Sequence, residues 1–250
     1  YTLSGGTPPY KVSIYVNGTL QKGKTIVFSS PGTYNVTIYA KDSVGATASR
    51  TVIVHVNPGP SVTMKLSRQV TDVGLPISLA YNITGGTPPY RVIVYVNGTP
   101  YNSTSLTLTE PGTYNVDVVV VDSVGGRATA QGVVVVNPRP TVTVNANYQG
   151  SIFMTNTGVS ISAMTSGGTP PYTYYVYLNG REVYSGAEVQ GLQLNLNQGT
   201  NNITVVVIDS AGGKASYTLS VVTGYNLILL AGIAIVVVAV AVALVIMIRK

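Results

Sequence analysis

Cysteine and tryptophan are missing from this chain of 250 residues, phenylalanine occurs twice, histidine once, and only 9% of residues are charged. Without cysteine there is neither a disulfide nor a thiolate metal ligand. The net charge is +6, and Arg249 and Lys250 at the extreme C-terminus supply two of those charges. The other bases, among them Lys11, Lys41, Lys65, Arg91, Arg127 and Lys214, are scattered. Nucleic-acid recognition needs a concentrated basic face, so no nucleic-acid partner is expected. The single histidine, His55, alternates with Val52, Val54 and Val56 and reads as a solvent-facing strand residue. The acids are Asp42, Asp72, Glu110, Asp117, Asp122, Glu182, Glu188 and Asp209. No two of them stand in a motif for general acid and base work. A calcium site needs several clustered oxygens, and no phosphate loop or nucleophile motif is present. The expectation is therefore a non-enzyme with no catalytic residue, no metal and no cofactor.

Glycine (27), proline (14) and tyrosine (18) are abundant, and they fall in repeats. Gly-Gly-Thr-Pro-Pro-Tyr stands at Gly5–Tyr10, Gly85–Tyr90 and Gly167–Tyr172, 80 and 82 residues apart. Each is followed by Val16-Asn17-Gly18, Val96-Asn97-Gly98 or Leu178-Asn179-Gly180. Pro-Gly-Thr-Tyr-Asn-Val comes next at Pro31–Val36 and Pro111–Val116, loosened to Gln198–Ile203 in the third copy. Asp-Ser-x-Gly closes each set at Asp42, Asp122 and Asp209. Four landmarks in one order mark an internal duplication.

Within a copy the apolar period is two. Val12, Ile14 and Val16 alternate with polar neighbours, as do Tyr34, Val36, Ile38 and Ala40, and Ile77, Leu79, Tyr81 and Ile83. That is a half-buried strand pattern, and Asn-Gly between two such runs predicts a tight hairpin. About seven short strands in about 80 residues make a small sandwich. The expected fold class is all-β, with tandem immunoglobulin-like sandwiches at 1–58, 59–138 and 139–223. Because Asp42, Asp122 and Asp209 recur in every copy, they read as structural turn residues, each capping its own turn.

The first copy is short at its front. Tyr1 aligns with Tyr81, so its first strand and part of its second have no counterpart. A sandwich edge left open is costly. The chain thus reads as the C-terminal piece of a longer protein, or as one completed by a strand from another chain. The joints Asn57-Pro58-Gly59-Pro60 and Asn137-Pro138-Arg139-Pro140 carry two prolines each, which stiffens them. Thr223-Gly224-Tyr225 has none and is expected to be looser.

Leu227–Ile248 is an uninterrupted uncharged run, LILLAGIAIVVVAVAVALVIMI. As a helix it spans about 33 Å, enough for a hydrocarbon core of about 30 Å. Tyr225 at its near end suits the membrane interface, and Arg249 and Lys250 at its far end place the C-terminus in the cytoplasm. The expectation is a single-pass protein in the lipid bilayer. Its transmembrane helix is 225–248, its cytoplasmic tail 249–250, and all that precedes is extracellular. Ala239 and Ala243 form a small-xxx-small pair, a route to a homo-oligomer. Exposed to an exporting cell's glycosylation machinery, the sequons at Asn17, Asn35, Asn82, Asn97, Asn102 and Asn202 become candidates for N-linked glycans. Asn35 and Asn82 fall on polar strand faces, and Asn17 and Asn97 in hairpin turns.

The segments Pro31–Val56 and Pro111–Val136 resemble the second half of a PKD domain, with its Gly-x-Tyr-x-Val strand, Asp-x-x-Gly turn and alternating last strand. The aromatic Trp-Asp-Phe-Gly-Asp-Gly segment of that domain is absent, and Val-Asn-Gly stands in its place. The third copy has Asn201 where the others have tyrosine. Cys-free Thr/Tyr/Val-rich sandwiches with sequons and a Val/Ala-rich tail ending in Arg-Lys are similar to archaeal, crenarchaeal-type cell-surface proteins. Within these, the membrane-anchoring small S-layer subunit is similar in its domains and tail. The resemblance implies a non-catalytic stalk or anchor holding a surface layer or another extracellular partner to the membrane. Two other readings stand beside it. One is the stalk of a surface enzyme, such as a thermopsin-like protease, or of a solute-binding receptor. The other is an adhesin working through exposed tyrosines.

Overall fold

The structure, a computed structural model, describes residues 1–151 and 154–225, and beyond them only Ala231, Ala234 and Val236. The first repeat contributes β1 (Lys11–Val16), β2 (Thr19–Leu20), β3 (Gly32–Lys41) and β4 (Thr47–Val56), in one antiparallel sheet of order β2-β1-β3-β4. The second contributes β5 (Ser61–Leu66), β6 (Val70–Asp72), β7 (Pro76–Thr84), β8 (Arg91–Val96), β9 (Thr99–Tyr101), β10 (Ser105–Thr107), β11 (Gly112–Val121) and β12 (Arg127–Asn137). These form sheets of order β10-β7-β5 and β6-β12-β11-β8-β9. The third contributes β13 (Thr141–Gln149), β14 (Met154–Thr155), β15 (Gly158–Ser166), β16 (Tyr172–Leu178), β17 (Arg181–Gly186), β18 (Val189–Asn195), β19 (Gly199–Asp209) and β20 (Lys214–Tyr225). Its sheets are β13-β15-β18 and β14-β20-β19-β16-β17. The described part is thus all-β, with immunoglobulin-like sheets. By compactness the chain divides into two units. One is Tyr1–Lys65 with Ala80–Ser103 and Asn115–Gly132; the other is Leu66–Leu79 with Thr104–Tyr114 and the described residues from Val133 on.

Among the described residues the second and third repeats each have eight strands rather than about seven, because the leading strand changes sheets. After β5, the chain re-enters as β6 and runs parallel to the end of β12, with Val70 opposite Val135 and Asp72 opposite Asn137. This crossing carries Asp72 to the end of the repeat, opposite Asn137. In the third repeat β14 pairs instead with the end of β20, Met154 opposite Tyr225.

Local chemistry explains the pairing. Asn17, Asn97 and Asn179 have φ of 46°, 49° and 52° and each is followed by a positive-φ glycine. Two consecutive residues in the left-handed region make the two-residue hairpin whose twist matches the strands it joins. The Pro-Pro bond of each Gly-Gly-Thr-Pro-Pro-Tyr motif is cis. Tyr34 and Tyr114, early in β3 and β11, donate their hydroxyls to the carbonyls of Ser30 and Glu110, four residues back. Asn201 in β19 reaches the same place by another route. Its Nδ2 donates to the carbonyls of Asn197 (2.7 Å) and Gly199 (3.1 Å), and the residue is fully buried. The corner that a tyrosine makes in two repeats is made by a short amide in the third.

Alternation produces the cores. In β11 Val116, Val118 and Val120 are fully buried, as are Ile203, Val205 and Val207 in β19. The third repeat's core joins these last three to Val159, Ile161 and Val176. Two inward positions differ from expectation. Tyr81 is 40% exposed, beyond the Pro76–Ser78 stretch that pairs with β10. Val52 is 51% exposed, on the one sheet that the first repeat has. At the other end β20 runs through Tyr225, so Thr223-Gly224-Tyr225 is strand and not a loose joint. Thr223 Oγ1 donates to the carbonyl of Asn156, and Thr155 Oγ1 to that of Gly224. Among the described residues no helix is long and apolar enough to cross a membrane. Apart from Ala231, Ala234 and Val236, the run Leu227–Ile248 lies outside the described residues, as do Arg249 and Lys250. Ala239 and Ala243 are among those outside it.

Burial sets the expected cost of core truncation. Ile161→Ala should lower stability by about 2–5 kcal/mol. Tyr114→Phe, which removes one hydroxyl donor, should cost about 0.5–1.5 kcal/mol. Urea denaturation followed by circular dichroism checks both.

Candidate functional site

The repeated landmarks converge on one cluster in each copy. Asp122 ends β11's approach to its turn, and its Oδ1 accepts the amides of Val124 (3.1 Å) and Gly126 (2.6 Å). Its Oδ2 accepts the amide of Thr87 at 3.0 Å, in the Gly-Gly-Thr-Pro-Pro-Tyr loop 35 residues earlier. Ser123 Oγ donates to the carbonyl of Thr87, and the Tyr90 hydroxyl to that of Gly85. Asp42 repeats the set with Val44, Ala46 and Thr7, and Asp209 with Ala211, Gly213 and Thr169. Amide donors stabilise the ionised carboxylate. The Thr7 amide holds Asp42 below the ordinary carboxylate range, with the turn amides adding to it and partial burial opposing. Asp122 is lowered in the same way, by the Thr87 amide first.

The loop ordered by this carboxylate receives the preceding linker. Gly86 donates its amide to the carbonyl of Pro58 at 2.7 Å, and Asn57 Nδ2 donates to Thr87 Oγ1 at 3.0 Å. At the second joint Gly168 donates to Pro138 at 2.7 Å, and Asn137 Nδ2 to Thr169 Oγ1 at 3.0 Å. The second proline of each linker packs on two glycines. A Cβ on Gly168 would stand 2.9 Å from Pro140 Cβ and 2.6 Å from Asp209 Oδ2. Gly168 also has φ +74°, which side chains avoid, so glycine is required there by conformation and by space. Asn-Pro-x-Pro, Gly-Gly-Thr and Asp-Ser-x-Gly, far apart in sequence, form a single clamp.

The second joint has one more member. Asp72, at the end of β6, is 1% exposed. Its Oδ1 accepts the Thr169 hydroxyl at 2.7 Å. Its Oδ2 has no hydrogen-bond partner, and neither has the buried Thr71 Oγ1 beside it in sequence. Asp72 Oδ2 and Asp209 Oδ2 both border Gly213, where a Cβ would meet the two of them, and the two side chains interact. Arg68 donates to the carbonyl of Ala211 and Arg139 Nε to that of Val73. Burial, and then the Asp209 side chain, push the Asp72 carboxyl up to about 6, against the Thr169 hydroxyl and Arg68. Burial also pushes Asp209 upward, but the Asp72 side chain and the amides of Thr169, Gly213 and Ala211 outweigh it and leave that carboxyl lowered. In the sequence Asp72 is one of eight scattered acids; its partner Thr169 lies 97 residues on.

The other sequence candidates lie elsewhere. Asn17, Asn35, Asn82, Asn97, Asn102 and Asn202 are all exposed. Asn17 and Asn35 meet at one hairpin tip, where the Asn35 amide donates to Asn17 Oδ1 at 2.8 Å. The same bond joins Asn115 to Asn97 and Asn202 to Asn179. His55 is exposed, with Nδ1 2.9 Å from Thr33 Oγ1. Tyr225 is 53% exposed. Among the described residues no three of His, Cys, Asp and Glu group as metal ligands would.

A family model for a cadherin-like β-sandwich domain matches residues 133–224. Among solved structures, fibronectin(III)-like modules of CbhA from Clostridium thermocellum are similar at 20% identity, over 65% of this chain and 93% of that one, with a TM-score of 0.38. A 1.5-MDa bacterial ice-binding adhesin is similar at 15% identity, over 84% of each chain, with a TM-score of 0.36. A Ca2+-stabilized adhesin of an Antarctic bacterium is similar at 16% identity, over 84% of this chain and 64% of that one, with a TM-score of 0.39. No curated protein matches the chain.

Two outcomes follow from the clamp. Gly213→Ala forces a methyl against Asp72, Asp209 and Pro140, and should cost about 1–3 kcal/mol by thermal denaturation. Asp122 has its folded pKa lowered from 3.8, so its contribution is present above that value and lost as pH falls through the folded one. The gap in melting temperature between wild type and Asp122→Ala should therefore be wide at pH 7 and should narrow as pH falls below 3.8.

Proposed function

We propose that this chain is the membrane-proximal part of a glycosylated, non-catalytic surface stalk, which ties a surface layer or another extracellular protein to the membrane. One observation carries the reading. The residues that the repeats share most closely are engaged in fixing each linker to the sandwich that follows it. Domains joined by a bare linker move independently by default. A chain whose recurrent motifs hold its linkers is suited to keep a distance and to transmit a pull.

Three further features support the reading. Leu227–Ile248 is long and apolar enough in sequence to span a bilayer, and Arg249 and Lys250 beyond it orient the chain outward. The six sequons lie on exposed positions, so attached glycans would project into water without disturbing a core. The turn carboxylates are satisfied by amides of their own repeat, which makes them parts of the scaffold.

In fractionated cell envelopes the full chain should remain with the membrane in high salt and leave it in detergent. A chain ending at Gly224 should be released into the soluble fraction. Retention of that shortened chain would mean that something other than the terminal segment holds the protein.

A further inference from the structure

We propose that Asp72 and Asp209 share one proton at the joint between the second and third repeats, so that this joint is tight in acid and loosens toward neutral pH. The geometry carries the argument. Asp209 already receives three amides, from Ala211 and Gly213 on Oδ1 and from Thr169 on Oδ2. Asp72 Oδ1 receives the Thr169 hydroxyl. The remaining oxygen, Asp72 Oδ2, is buried, has no donor, and borders Asp209 Oδ2 beside Gly213. Two carboxylates so placed resist ionising together, and a proton on Asp72 Oδ2 supplies the missing donor.

The charged and titratable groups around the pair do not replace that donor. Arg68 gives its hydrogen bond to Ala211 and Arg139 gives one to Val73, both to carbonyls. The hydroxyl of Tyr172 donates to Gly167 and stays protonated, its pKa raised by burial first and then by Tyr174 and the two carboxyls. A hard cation fits less well than a proton, because it needs about six oxygens, and among the described residues the buried side-chain oxygens without a partner are two, Asp72 Oδ2 and Thr71 Oγ1. The first joint is a built-in contrast: Asp122 has the same amides, and no second carboxyl contributes to its shift.

The sign follows from Asp72, whose carboxyl is raised from 3.8 to about 6. Its contribution is fully present below the unfolded value and is lost as pH rises through the folded one. Local opening that exposes Asp72 should become about tenfold more favourable between pH 5 and pH 7.

The test uses the full chain in detergent, carrying carboxyl-labelled aspartate. One aspartate resonance should titrate near pH 6, and it should vanish in Asp72→Asn. Hydrogen-exchange protection of the Thr169 and Gly213 amides, corrected for intrinsic rates, should fall about tenfold from pH 5 to pH 7 in wild type. In Asp72→Asn, which keeps a donor, it should stay flat. The proposal is overturned if no aspartate titrates between pH 5 and 7, or if the pH dependence persists in Asp72→Asn. It is also overturned if calcium at pH 7 restores wild-type protection, which would make the pair a cation site. The wild-type titration decides the matter even if the variant fails to fold.

Discussion

A single carboxylate per repeat, taking amides both from its own turn and from a loop tens of residues earlier, is the constraint on which the joints depend. Asp42, Asp122 and Asp209 each tie the last hairpin to the Gly-Gly-Thr-Pro-Pro-Tyr loop. Only when that loop is ordered do Gly86 and Gly168 present amides to the linker carbonyls, and only then do the linker prolines find the glycine floor they rest on. An ionised acceptor is well suited to this work, since charge-assisted bonds are about twice as strong as neutral ones. Disulfides, which many extracellular domains use for the same end, are not available to a chain without cysteine.

The repeats hold this arrangement while varying around it. The third repeat replaces a tyrosine corner by Asn201, whose short amide reaches the same carbonyl four residues back. The second joint adds Asp72, brought there by the strand that leaves one sheet and joins the other. These are different solutions to local packing on one conserved backbone plan. They give two otherwise similar joints unlike electrostatics.

Much of the plan was legible in the sequence. Period-two runs predicted the strands, Asn-Gly predicted the hairpins, and recurrence marked Asp42, Asp122 and Asp209 as structural. What local pattern could not show was convergence. The turn aspartates were read as capping their own turns, yet each also holds a loop 35 to 40 residues away. Asp72 carried no local signal, because its meaning comes from Thr169 and Asp209 in another repeat. Thr223-Gly224-Tyr225, read as a loose joint for lack of proline, is strand because β14 pairs with it across the sheet. Val52 alternates correctly but stays half exposed, since burial depends on what covers a face as well as on period.

The central claim is that the linkers are docked and not merely short. Nuclear Overhauser measurements on the labelled chain test it most directly. The account predicts close contacts from the Pro60 ring to Gly86 and Gly126, and from the Pro140 ring to Gly168 and Gly213. It predicts that Asp209→Ala abolishes the second set while the strand pairing of the third repeat persists. Absence of these contacts in a wild-type chain with its sheets intact would contradict the account.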